Sequence, residues 1–143
     1  MRPIGVIRSP FTDRSQTPRQ SWRSQAVGRV QVDREFAGGL QDVEGFSYLY
    51  LLFAFHRSSG YSLKVVPHGD TQLRGLFATR SPNRPNPIGL SLVRLLSRDD
   101  NVLHVEGVDV LDGTPLLDIK PFVPDFDLVS HFRRGWTEVW SER

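Results

Sequence analysis

Glycine and proline cut this chain into short pieces, and nothing else in it limits the fold as tightly. Twelve glycines and ten prolines punctuate 143 residues, and the longest unbroken apolar run, Tyr48 to Phe55, is eight residues long. A membrane-spanning helix needs roughly 20 apolar residues in a row. Interior prolines and glycines also break or weaken helices, whereas short strands fit easily between turn residues. Seven segments read as strands: residues 4–8, 26–32, 47–56, 73–79, 90–97, 102–110 and 115–119. They are rich in β-branched or aromatic residues or alternate in polarity. Residues 35–44 offer one or two helical turns, weakened by Gly38-Gly39. Many short strands with Gly/Pro turns predict an all-β barrel or sandwich-like domain.

A chain of this length is expected to form one domain, residues 1–143, around one core. Hydrophobic residues at 38% and charged residues at 24% fit a globular protein. The absence of cysteine excludes disulfides, thiolate metal sites and a cysteine nucleophile. His56, His68, His104 and His131 show no metal-ligand spacing, so no metal site is expected. There is no P-loop, no G-x-G-x-x-G after a strand and no G-x-S-x-G elbow, which argues against the common phosphate, dinucleotide and hydrolase frameworks. The first residues have no long apolar stretch followed by a small-residue cleavage site, so a soluble, cytoplasmic protein with no membrane association is expected.

Sixteen of the eighteen basic residues are arginine; only Lys64 and Lys120 are lysine. Residues 1–34 carry a net charge of +5, residues 35–98 carry +3 and residues 99–127 carry −7. Such segregation either gives a positive face for a polyanion or is mixed away by the fold.

Four constellations carry candidate chemistry. Pro18-Arg19-Gln20 sets a carboxylate- or phosphate-binding fork and an amide beside a stiff backbone, or is a plain solvated loop. Phe55-His56-Arg57 ends an apolar strand in two polar groups, which either floor a pocket or reach solvent. The loop from Arg80 to Leu90 holds Pro82, Pro85 and Pro87, which restrict it to few shapes, with Arg80, Asn83, Arg84 and Asn86 as polar groups; it is either a rigid site loop or a proline-rich segment that binds a partner. Asp118 and Lys120 share one side of a strand by period-2 geometry. They form either a surface ion pair or a clamp for the two ends of an amino-acid-like group.

The ordered set Ile4-Gly5-Val6-Ile7-Arg8-Ser9-Pro10, Pro18-Arg19-Gln20, Phe55-His56, Phe77-Ala78-Thr79-Arg80-Ser81, Arg84-Pro85-Asn86-Pro87-Ile88-Gly89-Leu90-Ser91-Leu92, Asp112-Gly113-Thr114-Pro115 and Asp118-Ile119-Lys120-Pro121 strongly resembles the TrmO family, also called the YaeB or TsaA-like family. The resemblance spans roughly residues 4 to 124. It implies a small β-barrel with one or two short helices, in the form without an additional C-terminal domain. It also implies an S-adenosyl-L-methionine-dependent methyltransferase acting on N6 of threonylcarbamoyladenosine, immediately 3′ of the anticodon of tRNA. The implied partners are the tRNA anticodon stem-loop and a second copy of the chain, with the cofactor site near the homodimer interface. Carried over by motif, the cofactor contacts are Pro18, Arg19, Gln20, His56, Arg57, Arg80, Leu90, Asp118, Ile119, Lys120 and Pro121. Asp118 is the candidate catalytic residue. Arg8, Arg84 and Asn86 are candidate substrate contacts. Phe11, Trp22 and Phe55 are candidate stacking platforms for an unpaired base. A methyltransferase of the same fold on another substrate, or a non-catalytic S-adenosyl-L-methionine-binding module, would use the same residues.

Overall fold

Alternating burial turns one face of each long strand inward. The computed structural model describes residues 1–18 and 24–142. The chain divides into two compact units, Met1–Arg57 with Ile88–Phe122, and Ser58–Pro87 with Val123–Arg143.

The first unit is a closed barrel of six antiparallel strands. They are β1 (Gly5–Arg8), β2 (Val27–Val32), β3 (Tyr48–Ala54), β6 (Ile88–Asp99), β7 (Val102–Glu106) and β8 (Thr114–Pro121), in the order β1-β2-β7-β6-β3-β8. The second unit contributes the two-stranded ladder of β4 (Lys64–Val65) and β5 (Arg74–Gly75). It also holds the one α-helix among the described residues, α1 (Pro124–Asp127), which begins on a proline and so loses no helical hydrogen bond there. Closure comes from β1, which pairs with β2 on one side and β8 on the other and leaves no free edge. Of the two all-β architectures open to the sequence, the barrel is the one formed.

Ile7, Val30, Leu49, Leu51, Phe53, Val93, Leu103, Val105 and Leu116 fill the interior, each almost wholly buried. Gly89 faces this core. A Cβ there would lie 2.2 Å from Phe53 Cε2 and 2.8 Å from Phe55 Cζ, so the aromatic pair occupies the space a side chain would need.

Several segments depart from the sequence expectation. Residues 73–79 are not one strand: β5 covers only Arg74–Gly75, and a 3-10 turn at Leu76–Ala78 follows. Both the backbone N–H and the hydroxyl of Thr79 donate to Leu76 O, at 3.0 and 2.7 Å, and hold that turn. Strand β7 stops at Glu106 rather than running to residue 110, because Gly107 adopts φ 104 and takes the chain out of the ladder. Strands β6 and β8 run longer than expected at both ends. Residues 35–44 form two 3-10 turns, Arg34–Leu40 and Val43–Gly45, separated by Asp42 at φ 73.

Candidate functional site

One extra residue in β8 builds the first half of the site. Leu52 lies opposite Asp118, while the next residue, Phe53, lies opposite Leu116, so Leu117 has no partner across the ladder. This bulge shifts the side-chain phase by one. Upstream of it Thr114 and Leu116 face the core; downstream Ile119 does so, opposite the buried Leu51. Asp118 and Lys120 are thereby turned to the outside of the barrel.

On that outer face they join two rows that cross three strands. Asp118, Leu52 and Leu90 form one; Lys120, Tyr50 and Leu92 form the next. With strands about 4.8 Å apart, Asp118 and Leu90 flank Leu52 at roughly 10 Å between backbones. Lys120 Nζ lies 3.1 Å from Asp118 Oδ2, and the Ile119 N–H donates to Asp118 Oδ1 at 2.9 Å. The two side chains stay 65% and 47% exposed, so both charges remain open to a ligand. Tyr50 packs on Phe122 with ring centroids 6.0 Å apart. Ile119 and Pro121 do not share this face. Ile119 packs on the core, and Pro121 lies opposite Leu49 at the end of the ladder. They support the strand that presents Asp118 and Lys120.

His56 and Arg57 follow the end of β3 and are exposed. The Asp13 carboxyl is held below the usual Asp range first by the Ser15 backbone N–H, then by the Ser15 side chain, with a smaller contribution from the positive charge of Arg57. Asp13 belongs to the loop that leads to Pro18. Asp13 and Gln16 form a reciprocal capping box that shapes this loop. Pro18 is half-buried. Arg19, Gln20 and Trp22 lie outside the described residues. Arg8 is engaged locally: its NH1 lies 3.8 Å from Asp112 Oδ2, and its Nε–H donates to Gln31 Oε1 at 3.4 Å.

Arg80, Arg84 and Asn86 belong to the second unit. Arg84 NH1 donates to Thr79 O at 2.9 Å and Ser81 O at 3.0 Å, so this guanidinium is committed to holding the loop. The Ser58 hydroxyl donates to Asn83 Oδ1 at 2.7 Å. Arg80 is exposed and has no ion pair or hydrogen bond among the described residues. Asn86 is exposed as well.

Asp118, Lys120 and Leu90 therefore lie on one surface, with Tyr50, Leu52 and Leu92 as neighbours to which sequence reasoning assigned no site role. Their only signal is strand register, which cannot be counted until pairing and bulge are known. Phe11 and Phe55 pack against the core, Phe55 edge-on to Phe53 at 5.3 Å, so neither is a free stacking platform.

Comparisons with known proteins identify the family. The chain is 49% identical over 138 residues to a probable S-adenosyl-L-methionine-binding protein of Pyrococcus abyssi, covering 96% of this chain and 75% of that one. It is 43% identical over 130 residues to an S-adenosyl-L-methionine-binding protein of Archaeoglobus fulgidus, covering 91% of this chain and 94% of that one. It is 38% identical over 133 residues to the tRNA (adenine(37)-N6)-methyltransferase of Mus musculus, but spans only 31% of that protein. A crystal structure of TrmO from Pseudomonas aeruginosa superposes with a TM-score of 0.78 at 39% identity, over 95% of this chain and 60% of that one. The tRNA-methyltransferase O N-terminal domain matches residues 6–128, and by that match and these identities the chain belongs to the TrmO family.

Proposed function

We propose that this protein is an S-adenosyl-L-methionine-dependent methyltransferase that methylates N6 of threonylcarbamoyladenosine beside the anticodon of tRNA. The observation that carries the reading is the Asp118–Lys120 pair, turned outward by the Leu117 bulge into the rows that hold Leu90. The amino-acid end of S-adenosyl-L-methionine bears one ammonium and one carboxylate, and a carboxylate and an ammonium 3.1 Å apart are its complement. The apolar row of Leu52, Leu90 and Leu92 suits the rest of the cofactor. The donor set therefore fits the group.

When bound, S-adenosyl-L-methionine supplies an electrophilic methyl on a sulfonium sulfur. The protein's share is positioning, which accounts for much of the rate in an in-line displacement. In this reading Asp118 holds the cofactor ammonium, or accepts the proton that N6 of the adenine gives up. Lys120, 3.1 Å from Asp118, faces the cofactor carboxylate. Arg19 is assigned to the cofactor carboxylate, and Arg80, on the second unit, to a phosphate of the RNA. His56, Arg57 and Pro18 line the cofactor from the end of β3 and the preceding loop. Asn86 takes a backbone contact, whereas Arg8 is held by Asp112 and Gln31 and Arg84 by its own loop. The exposed apolar side chains Ile88, Leu90, Leu92 and Leu96 of β6 support a homodimer that covers this face.

A second reading has one specific observation behind it: two of the relatives are named only for binding S-adenosyl-L-methionine. A binding module would need the same pair but move no methyl. Transfer of labelled methyl to tRNA that carries or lacks the threonylcarbamoyl group separates the readings. The proposal expects incorporation only into the modified tRNA. Cofactor binding without transfer to either tRNA overturns it in favour of the module.

A further inference from the structure

Phe77 is an anomaly in a segment that is otherwise tied down. Its side chain is 75% exposed, between the buried Leu76 and the buried Thr79. Exposure on a loose loop would mean little, but this turn is fixed from several directions. Thr79 caps the turn through its N–H and its hydroxyl on Leu76 O. Trp136 Nε1 donates to Ala78 O at 2.7 Å, and Arg84 ties Thr79 O to Ser81 O. The ring is therefore held out into solvent by a rigid backbone. The Arg84 guanidinium lies over it, 5.8 Å from the centroid, within cation–π range. Arg80, three residues on, is exposed without a partner among the described residues.

We propose that Phe77 is a stacking platform for an unpaired nucleobase of the RNA substrate, with Arg80 taking the adjoining phosphate. The inference rests on the tRNA reading above and names a contact which that reading does not contain. A rigid aromatic face beside fixed and free arginines is the arrangement by which proteins hold single-stranded bases. The other exposed phenylalanines of this unit lack it. Phe126 stands between Asp125 and Asp127, whose charges repel a phosphate backbone, and Phe132 has no ring or cation contact among the described residues. In residues 58–87 the one carboxylate, Asp70, is already paired with Arg74 Nε at 2.6 Å. The rival occupant is a second copy of the chain, since Leu63 and Leu73 in the same unit are also exposed.

The probe is an RNA anticodon stem-loop that carries threonylcarbamoyladenosine immediately 3′ of the anticodon and 2-aminopurine at the next nucleotide, titrated with wild type, Phe77→Leu and Phe77→Trp. Stacking changes the fluorescence of the base analogue. Loss of one stacking contact is expected to weaken binding on the order of 10- to 100-fold in Phe77→Leu, while Phe77→Trp keeps both affinity and fluorescence change. Because the ring is exposed, both variants should match wild type in thermal midpoint and in S-adenosyl-L-methionine binding. Phe77→Leu binding the hairpin as tightly as wild type overturns the inference and leaves the tRNA reading standing. A changed sedimentation coefficient with unchanged RNA affinity also overturns it and assigns the ring to an interface between copies. Wild type that binds cofactor but no hairpin overturns both.

Discussion

Asp118 and Lys120 show how little a pair can do for stability while its position matters for binding. An ion pair this exposed adds at most about 1 kcal/mol to the fold. A hydrogen bond to a charged ligand group is worth about 1.5–3 kcal/mol. Asp118→Asn is therefore expected to leave the thermal midpoint nearly unchanged. By calorimetric titration it should weaken S-adenosyl-L-methionine binding on the order of 10- to 100-fold. Unchanged affinity would remove Asp118 from the cofactor site. Asp70 makes the opposite case, a carboxylate with a structural task. The Arg74 guanidinium holds its carboxyl below the ordinary range, helped by the N–H groups of Thr71 and Gln72 and opposed by partial burial. A folded-state value below the unfolded one, about 3.9, means the contribution is complete at neutral pH. It is lost as pH falls through the lower folded value. Carbon-detected NMR should place the Asp70 midpoint below that of a model peptide. Asp70→Asn should make the segment between β4 and β5 more sensitive to protease at pH 7. A midpoint at the peptide value would deny Asp70 this role.

Strand β3 was legible as an unbroken apolar run; its polarity does not alternate, only its burial does. Period-2 geometry tells which residues of a strand share a side, as Gly89, Ser91 and Val93 do, and fails where a single residue shifts it. The pairing of Asp118 with Lys120 on one side was legible for the same reason. Which side was not. Counting by twos from the buried Leu116 points Asp118 into the barrel, and only the unpaired Leu117 reverses it. Residues 73–79 misled in another way. Their composition suits a strand, but the Thr79 side chain competes for the backbone and closes a 3-10 turn instead. Gly89 sits within the family motif, and its structural need is separate from any ligand. Gly89→Ala should cost about 1–3 kcal/mol in denaturant unfolding, because Phe53 and Phe55 must move to admit a methyl group. An unaffected unfolding midpoint would mean the aromatic pair yields freely. The result also bears on the site, since Gly89 and Leu90 share β6 and a shift of one displaces the other.

At the scale of the whole molecule, barrel topology rewrites the charge map of the sequence. The basic N-terminal segment and the acidic segment from residue 99 are far apart in the chain, but β1 pairs with β8 and β2 with β7. The first unit holds eleven basic residues against eleven acidic ones, so the segregation cancels there. Arg34 lies 2.7 Å from Asp100, Arg98 lies 3.1 Å from Glu44, and Arg8 and Arg94 face Asp112 and Glu106 at 3.8 and 3.9 Å. Linear charge counts could not foresee this, because neutralisation depends on strand order and not on sequence distance. The second unit keeps seven basic residues against five acidic ones, and its Arg80 has no carboxylate partner among the described residues. A phosphate contact releases counterions only where an arginine is free to replace them. RNA affinity should accordingly fall with rising salt, and Arg80→Gln should flatten the log–log slope by about 0.7–0.9, the change for one phosphate. Arg34→Gln should leave the slope as it is, since its guanidinium already has Asp100. Titrations of the anticodon stem-loop at several salt concentrations measure both variants. Equal slopes in wild type and Arg80→Gln, with a reduced slope in Arg34→Gln, would mean that the ion pairs of the barrel open for RNA and that its surface carries the phosphate contacts.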